Sequence, residues 1–214
     1  RVPPKNLPVG TGIKRLGKRL LTVGTDCAVG KKYTALGLDK SMREVGMNST
    51  FRATGQTGII IVGAGIPIDA IKADFISGAA EMLSPDNTED HWDVIEGQGT
   101  VLHPGYSGVS LGLLHGSQPD AFVVCHDATR KVMSGWEHYP IPSIGECIDI
   151  HNQLGQRTNP DISCVGISIN TSGLHKDKRQ EYLDNLQKET GFPCIDPLVD
   201  GCGIIIDNLN KIFN

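Results

Sequence analysis

Hydrophobic residues occur along the chain in short continuous runs, with amphipathic segments of helical spacing between them. The runs lie in residues 20–24, 48–53, 91–95, 120–127, 163–170 and 192–198. Strands that are apolar throughout, rather than alternately apolar and polar, are typical of a parallel sheet that is buried on both faces. The pattern therefore predicts an α/β protein with a three-layer, P-loop NTPase-like fold and a mostly parallel sheet.

Helical spacing of apolar residues predicts helices over residues 32–45 and 175–190, each followed by a glycine that suits a helix C-terminus. The same spacing from Pro67 to Met82 predicts a further helix, which would carry Asp74 at the edge of its apolar stripe. Residues 59–65 are apolar without a clear period, and we expect either a strand or a buried loop there. A helix carrying Cys147, His151 and Leu154 is expected before the run at 163–170.

The first 18 residues have the Pro-rich composition of a lead-in or linker, and the chain begins with Arg1 rather than Met. We therefore predict that residues 1–18 connect to an N-terminal domain outside this sequence, and that residues 19–214 form one P-loop α/β domain. A chain of 214 residues with 39% apolar and 21% charged residues is long enough for such a domain.

Charge and composition limit the partners. A net charge of −4 and a pI near 6.0 provide no basic surface for nucleic acid. There is no apolar run of membrane-spanning length, so no membrane partner is expected. The six cysteines form no Cys-x-x-Cys pair and are expected to be reduced, mostly buried thiols. We expect a cytoplasmic homo-oligomer that acts on small-molecule substrates.

The first apolar run leads into a loop that is bounded by Gly24 and Gly30 and ends in Gly-Lys, as a Walker A phosphate-binding loop does. Lys31 is placed to reach a terminal phosphate, but the next residue is Lys32 instead of the usual Ser or Thr that holds Mg²⁺. Thr34 is the nearest hydroxyl, and a metal requirement is left open. The predicted cofactor contacts are Gly24, Thr25, Asp26, Cys27, Ala28, Val29, Gly30, Lys31, Lys32, Tyr33 and Thr34.

Other polar residues follow predicted strands, where ligands of α/β sheets bind. Glu96 directly follows the run at 91–95. Asn170 is the last residue of the run at 163–170, and its side chain either recognises a nucleotide base or caps a turn. The glycine-rich loop at 54–58 is either a ligand loop or a tight turn. His103, which is near Glu96 in sequence, is a candidate for proton transfer or a satisfied buried histidine. Asp74 is a weaker candidate that could equally be a solvated carboxylate.

Three motifs resemble the dethiobiotin synthetase branch of P-loop enzymes: residues 24–31, residues 94–99 and the strand that ends at Asn170. That resemblance implies a role for Glu96 in holding Mg²⁺ and for Asn170 near a nucleotide base.

A longer resemblance covers nearly the whole chain. The segments 24–34, 51–58, 74–79, 91–99 and 110–116 are similar to the DUF1611 family, and within it to D-glutamate N-acetyltransferases of the DgcN type. The resemblance implies a bacterial enzyme, an acyltransferase that moves the acetyl group of acetyl-CoA to the amine of D-glutamate. It also implies an upstream Rossmann-like domain.

In such a reaction the loop anchors the phosphates of the coenzyme without hydrolysis. Glu96 is the first candidate for the base, followed by His103 and Asp74; Cys27 as an acetyl-carrying nucleophile is an alternative. Arg52 or Arg130 offers a forked cation for the two carboxylates of D-glutamate. Gln56, Thr57 and Gln98 complete the predicted substrate contacts.

Two other interpretations of the sequence are an ATP- and Mg²⁺-dependent enzyme that activates a carboxylate, and a nucleotide-sensing domain without enzymatic activity.

Overall fold

The computed structural model describes residues 2–213 and contains a six-stranded parallel sheet in the order β2-β3-β1-β4-β7-β8. The end residues Arg1 and Asn214 lie outside the described part. The predicted α/β class and parallel sheet are confirmed. The sheet strands are β1 (Lys18–Gly24), β2 (Ser49–Arg52), β3 (Trp92–Ile95), β4 (Ala121–Asp127), β7 (Ser163–Asn170) and β8 (Cys194–Ile195).

Helices cover both faces of this sheet, which gives the three predicted layers. They are α1 (Lys31–Glu44), α2 (Gln56–Val62), α3 (Ile76–Leu83), α4 (Ser107–Ser117), α5 (Ile144–Gly155), α6 (Lys176–Thr190) and α7 (Gly203–Phe213). Alternate residues of the strands point to opposite faces. Leu21 and Val23 therefore join a core with α3, α4, α5 and α6, while Leu20 joins a second core with α1 and α7.

Two predicted elements differ from the structure. Residues 56–62 form helix α2 rather than a strand or buried loop, and Ile60, Ile61 and Val62 are exposed on it. The helix predicted from Pro67 is divided into two short 3-10 turns, Ile68–Ala70 and Ala73–Phe75, before α3 begins at Ile76. The apolar spacing that predicted one helix therefore spans three shorter elements.

An antiparallel hairpin of β5 (Val132–Met133) and β6 (Trp136–Pro140) follows β4 and has no counterpart in the predictions. Most of β6 is exposed and mixes charged with aromatic residues, so it lacks the apolar run that marks the sheet strands. The run predicted at 192–198 contributes only the two residues of β8.

The lead-in before β1 lies against α3 and α4. The backbone N–H of Thr11 donates to the carboxylate of Glu81 at 2.8 Å, and Arg15 donates to the backbone carbonyl of Gly116 at 2.8 Å. These bonds hold the later part of the lead-in on the domain surface.

Helices α3 and α4 approach closely at glycine positions. A Cβ added to Gly112 would lie 2.6 Å from Cγ2 of Ile76, whereas one added to Gly108 on the same helix would meet nothing within 4 Å. We expect Gly112→Ala to lower the free energy of unfolding by about 1–3 kcal/mol, because the packed side chain must shift. Gly108→Ala is expected to raise it by up to about 1 kcal/mol through helix propensity.

Urea denaturation of the two variants checks this prediction. Both variants replace Gly by Ala, so the difference between their free energies of unfolding measures the effect of the close contact with Ile76. Equal effects of the two substitutions would contradict the close approach of α3 and α4.

The six cysteines are free thiols, and only Cys27 among them is not buried. None of the helices in residues 2–213 has the length and apolarity that crossing a bilayer requires.

Candidate functional site

A cleft of about 550 Å³ opens at the carboxyl edge of the parallel sheet. It lies where β1, β3 and β7 end, the position at which α/β sheets bind ligands. The predicted site residues that line it are Cys27, Ala28, Val29, Gly30, Lys31, Lys32, Tyr33, Thr34, Gln56, Thr57, Glu96, Gln98 and Asn170. It is also lined by seven residues that we did not predict, namely Gly55, Gly97, Gly99, Ser168, Asp196, Pro197 and Leu198.

The loop between β1 and α1 has the backbone conformation of a phosphate cradle. Gly30 precedes α1 with φ 105°, and Ala28 has φ 54°, so the chain turns through left-handed conformations before the helix begins. No side chain caps the start of α1, which leaves the first N–H groups of this 14-residue helix facing the cleft. Such a helix terminus favours an anion.

Lys31 is a buried cation that lacks a carboxylate partner among residues 2–213. Its Nζ donates to the backbone carbonyl of Asp26 at 2.6 Å, and no described carboxylate lies within 4.0 Å of it. Burial lowers the pKa of Lys31, since the charged amine is separated from water. A bound anion would restore the stability of the charged form.

Glu96 forms the opposite wall of the cleft. Its Oε2 accepts hydrogen bonds from the backbone N–H groups of Thr54 at 3.0 Å and Gly55 at 3.1 Å. The Thr54 hydroxyl donates to the Glu96 carbonyl at 2.6 Å and accepts from Nε2 of Gln98 at 2.8 Å. A Cβ on Gly58 would lie 2.3 Å from Oε2, so the glycines of this loop make room for the carboxylate. The carboxylate is therefore held in one place.

Asn170 and Asp196 form the far end of the cleft. Asn170 donates from Nδ2 to Asp127 at 3.1 Å and accepts from the backbone N–H of Ser172 at 3.1 Å. The turn-capping role of Asn170 is therefore observed, while base recognition stays a prediction. Asp196 accepts from the backbone N–H groups of Thr171 and Leu198.

The two predicted substrate arginines do not line the cleft and are paired with buried carboxylates. Arg52 Nε lies 2.7 Å from Oδ1 of Asp93, and Arg130 Nη1 lies 2.7 Å from Oδ2 of Asp26. The bond to Asp93 uses Nε of Arg52, and the bonds to Asp26 and to the Cys27 carbonyl use Nη1 of Arg130, so each guanidinium is partly engaged within the protein. Their role in substrate binding stays a prediction.

The remaining predicted residues lie outside the cleft lining. The Thr25 hydroxyl pairs with Nδ1 of His126 at 2.8 Å below the loop. A Cβ at Gly24 would lie 2.9 Å from the carbonyl of Cys125, so this strand end requires glycine. Asp26 is buried behind the loop, and Asp74 is exposed on a 3-10 turn.

His103 is buried behind the loop in an aromatic cluster. Its ring stacks on Tyr106 with centroids 4.4 Å apart and meets Trp136 edge-on at 4.6 Å. Nδ1 accepts from the backbone N–H of Gly105 at 3.0 Å, which leaves the proton of a neutral ring on Nε2. That nitrogen lies 3.9 Å from Oδ1 of Asp26. Nε2 is buried and has no hydrogen-bond partner among residues 2–213, so the ring is not a fully satisfied buried histidine, and its catalytic role stays a prediction.

Asp26 is expected to fix the loop through its ion pair with Arg130 and a 2.8 Å hydrogen bond from the backbone N–H of Ser134. We expect Asp26→Asn to lower the free energy of unfolding by about 2 kcal/mol or more, because it leaves the half-buried Arg130 with only the more distant carboxylate of Asp127, at 4.0 Å. Urea denaturation measures the change.

Glu44→Gln is the matched control for this substitution. Its ion pair with Lys40, at 3.7 Å, is exposed on both sides, and an exposed pair contributes less than about 1 kcal/mol. Equal losses in both variants would show that the Asp26 pair has no special structural role.

Comparison with known proteins identifies the family of this domain. The model for the P-loop domain of DUF1611, a domain of unknown function, matches residues 8–206. The chain belongs to the DUF1611 family. The crystal structure of a DUF1611 family protein from Anabaena variabilis ATCC 29413 superimposes on this DUF1611 domain with a TM-score of 0.91 at 36% identity, covering 99% of this chain and 63% of that one.

Two curated relatives carry the name D-glutamate N-acetyltransferase. The protein from a Pseudoalteromonas species is 54% identical over 209 residues, which is 98% of this chain and 63% of that protein. The protein from Tritonibacter scottomollicae is 51% identical over 212 residues, which is 99% of this chain and 64% of that protein. The DUF1611 domain described here thus spans less than two thirds of each relative.

More distant structures share the fold alone. Cobyrinic acid a,c-diamide synthase from Mycobacterium smegmatis, solved with bound ADP and magnesium, superimposes with a TM-score of 0.54 at 13% identity. The match covers 91% of this chain and 92% of that one. The predicted P-loop NTPase-like architecture is therefore confirmed.

Proposed function

We propose that this DUF1611 domain binds acetyl-CoA for an N-acetyltransferase that acetylates the amine of D-glutamate. The observation that carries the proposal is the buried amine of Lys31, which faces a 550 Å³ cleft beneath a phosphate-binding loop and has no carboxylate partner among residues 2–213. The names of the two relatives supply the reaction.

The loop anchors the coenzyme through its phosphates. Backbone N–H groups at the start of α1 and the ammonium groups of Lys31 and Lys32 are the anion ligands. A coenzyme held in this way presents its thioester along the cleft toward the wall formed by Glu96 and Gln98. Holding both substrates in one cleft supplies much of the rate through proximity.

The chemical step requires a neutral amine. In our proposal Glu96 takes one proton from the substrate ammonium, and the amine nitrogen then attacks the carbonyl carbon of the thioester. The new C–N bond forms as the C–S bond breaks, and the coenzyme leaves as a thiolate that takes up the remaining proton lost by nitrogen. Glu96 suits this role because two backbone N–H groups orient its carboxylate at the cleft wall.

Cys27 is a weaker choice for a covalent acetyl carrier. Burial raises the pKa of its thiol, and the nearby Asp26 charge also raises it, although Lys31 opposes both effects. A thiol with a raised pKa supplies little thiolate at neutral pH. Direct transfer to the amine is therefore the simpler route.

Product analysis by mass spectrometry tests the proposal. The full-length protein is incubated with D-glutamate and either acetyl-CoA or Mg-ATP, and L-glutamate serves as the matched control substrate. We expect N-acetyl-D-glutamate with acetyl-CoA alone. Release of ADP would favour the carboxylate-activating alternative, and binding without either product would favour a nucleotide sensor.

A further inference from the structure

P-loop folds imply a Mg²⁺ ion beside the phosphates, so the residues of this cleft can be tested for a fit to that ion. The usual site takes a hydroxyl from the residue after the P-loop lysine, together with one or two carboxylates. In this chain that residue is Lys32, which lines the cleft with an ammonium group. The nearest hydroxyl, that of Thr34, donates to the Gly30 carbonyl at 3.2 Å and pairs with the Ser168 hydroxyl at 2.7 Å.

The carboxylates in the cleft lining also fit poorly. Among residues 2–213 they are Glu96, whose Oε2 accepts both of its backbone N–H bonds, and Asp196, whose two oxygens each accept one, so Oε1 of Glu96 is the carboxylate oxygen left for a metal. The described residues contain one group of three donors with metal-binding spacing, namely Asp26, Cys27 and His103. Asp26 and His103 lie outside the cleft lining, and Asp26 is paired with Arg130.

The electrostatics of the cleft oppose a metal ion as well. Lys31 and Lys32 place two cations at the phosphate position, and α1 adds the positive end of its dipole. The P-loop lysine, here Lys31, is shared with Mg²⁺-binding P-loops, so the additional ammonium group of Lys32 is what opposes a divalent cation in this cleft. The donor set and the charge therefore both disagree with a P-loop Mg²⁺ site.

We propose that the cradle binds the diphosphate of its ligand without Mg²⁺, and that the Lys32 ammonium supplies the charge neutralisation that the metal supplies in other P-loop sites. The identity of the ligand as a coenzyme rests on the proposed function. The proposal that a diphosphate binds without metal does not depend on it. The ligand class is a nucleoside diphosphate group, as found in ADP and in coenzyme A.

The position of Lys32 suits this role. It is the second residue of α1, half-buried at the cleft, and its Nζ lies 4.5 Å from the ring centroid of the exposed Tyr33. This cation–π contact joins two residues of the cleft lining, and it is weak enough for a phosphate to replace. A site of this kind binds diphosphates but lacks the metal that bridges phosphates in phosphoryl transfer.

Isothermal titration calorimetry with ADP and with coenzyme A, in EDTA and in millimolar Mg²⁺, tests the proposal. We expect neither ligand to bind more tightly in Mg²⁺ than in EDTA, since no metal joins the complex. We expect Lys32→Ser to weaken binding in EDTA by about tenfold or more, which is the loss of one charge-assisted hydrogen bond. Lys32→Arg keeps the charge and is expected to stay within about threefold of wild type.

Lys40→Ser is the matched control, because Lys40 lies on the same helix with a largely exposed side chain outside the cleft lining. It is expected to bind like wild type. Thermal denaturation of each variant checks that the domain is folded.

Three outcomes would overturn the inference: wild-type binding that needs Mg²⁺, Lys32→Ser binding unchanged in EDTA, or no binding of either ligand. If ADP binds without metal and coenzyme A does not, the metal-free cradle is supported and the proposed coenzyme is wrong.

Discussion

Lys31→Met is expected to weaken acetyl-CoA binding by about 100-fold or more without lowering the stability of the domain. Removing one partner from a buried charge interaction costs about 2–5 kcal/mol, and each 1.4 kcal/mol is a factor of ten. Lys31 is the deepest cation in the cleft and is held by a single hydrogen bond to the Asp26 carbonyl. Its amine is therefore available to a phosphate.

The stability readout separates binding from folding. Burial lowers the pKa of Lys31, so the charged amine destabilises the folded state at pH values below its ordinary pKa of 10.5. Methionine removes this penalty while filling a similar volume, and the melting temperature should stay the same or rise. Any gain should shrink as the pH approaches 10.5, because the amine then becomes neutral in the unfolded chain as well.

Calorimetry with acetyl-CoA and thermal denaturation across pH measure both effects. Lys40→Met on the same helix is the control, since its side chain is largely exposed. If Lys31→Met binds acetyl-CoA as tightly as wild type, Lys31 does not bind the phosphates. A lower melting temperature in Lys31→Met alone would instead indicate that its bond to Asp26 stabilises the loop.

The parts of the fold that sequence predicts well are those set by local patterns. The run before Gly24, the glycines of the loop and the apolar spacing of α1 are all contained within 30 residues, and the structure has each of them. Glu96 also follows from a local signal, since an acid that ends a buried strand emerges at the ligand edge.

Long-range pairing explains what sequence could not predict. Arg52 and Arg130 look like free cations in the sequence, yet their partners Asp93 and Asp26 are 41 and 104 residues away along the chain. An arginine near a polar loop is a good candidate for binding a substrate carboxylate only when no buried Asp or Glu of the protein lies beside it. The three-dimensional arrangement of strands decides this.

Helix α2 escaped prediction for a different reason. Periodicity assumes that apolar residues are buried, but Ile60 is 81% exposed and Ile61 is 53% exposed. When the solvent side of a helix is also apolar, the sequence does not alternate between apolar and polar positions at helical spacing, and the helix cannot be recognised from that pattern. Asp196 was missed because β8 has only two residues, which is too short for a strand pattern to point to its end.

Glu96→Gln is expected to lower turnover by about 10²–10⁴-fold, the usual contribution of a positioned general base, while the dissociation constant for acetyl-CoA stays within about threefold. Glutamine has the same shape, and its side-chain oxygen can still accept from the backbone N–H groups of Thr54 and Gly55. The variant therefore removes the proton acceptor and keeps the wall of the cleft.

Single-turnover kinetics with acetyl-CoA and D-glutamate, followed across pH, provide the decisive measurement. Glu89→Gln is the matched control, because that exposed glutamate precedes the same strand at the other end of the sheet. Full activity in Glu96→Gln, or an equal loss in Glu89→Gln, would contradict the assignment. If turnover is lost in Asp74→Asn or His103→Asn and not in Glu96→Gln, the residue replaced in that variant is the general base.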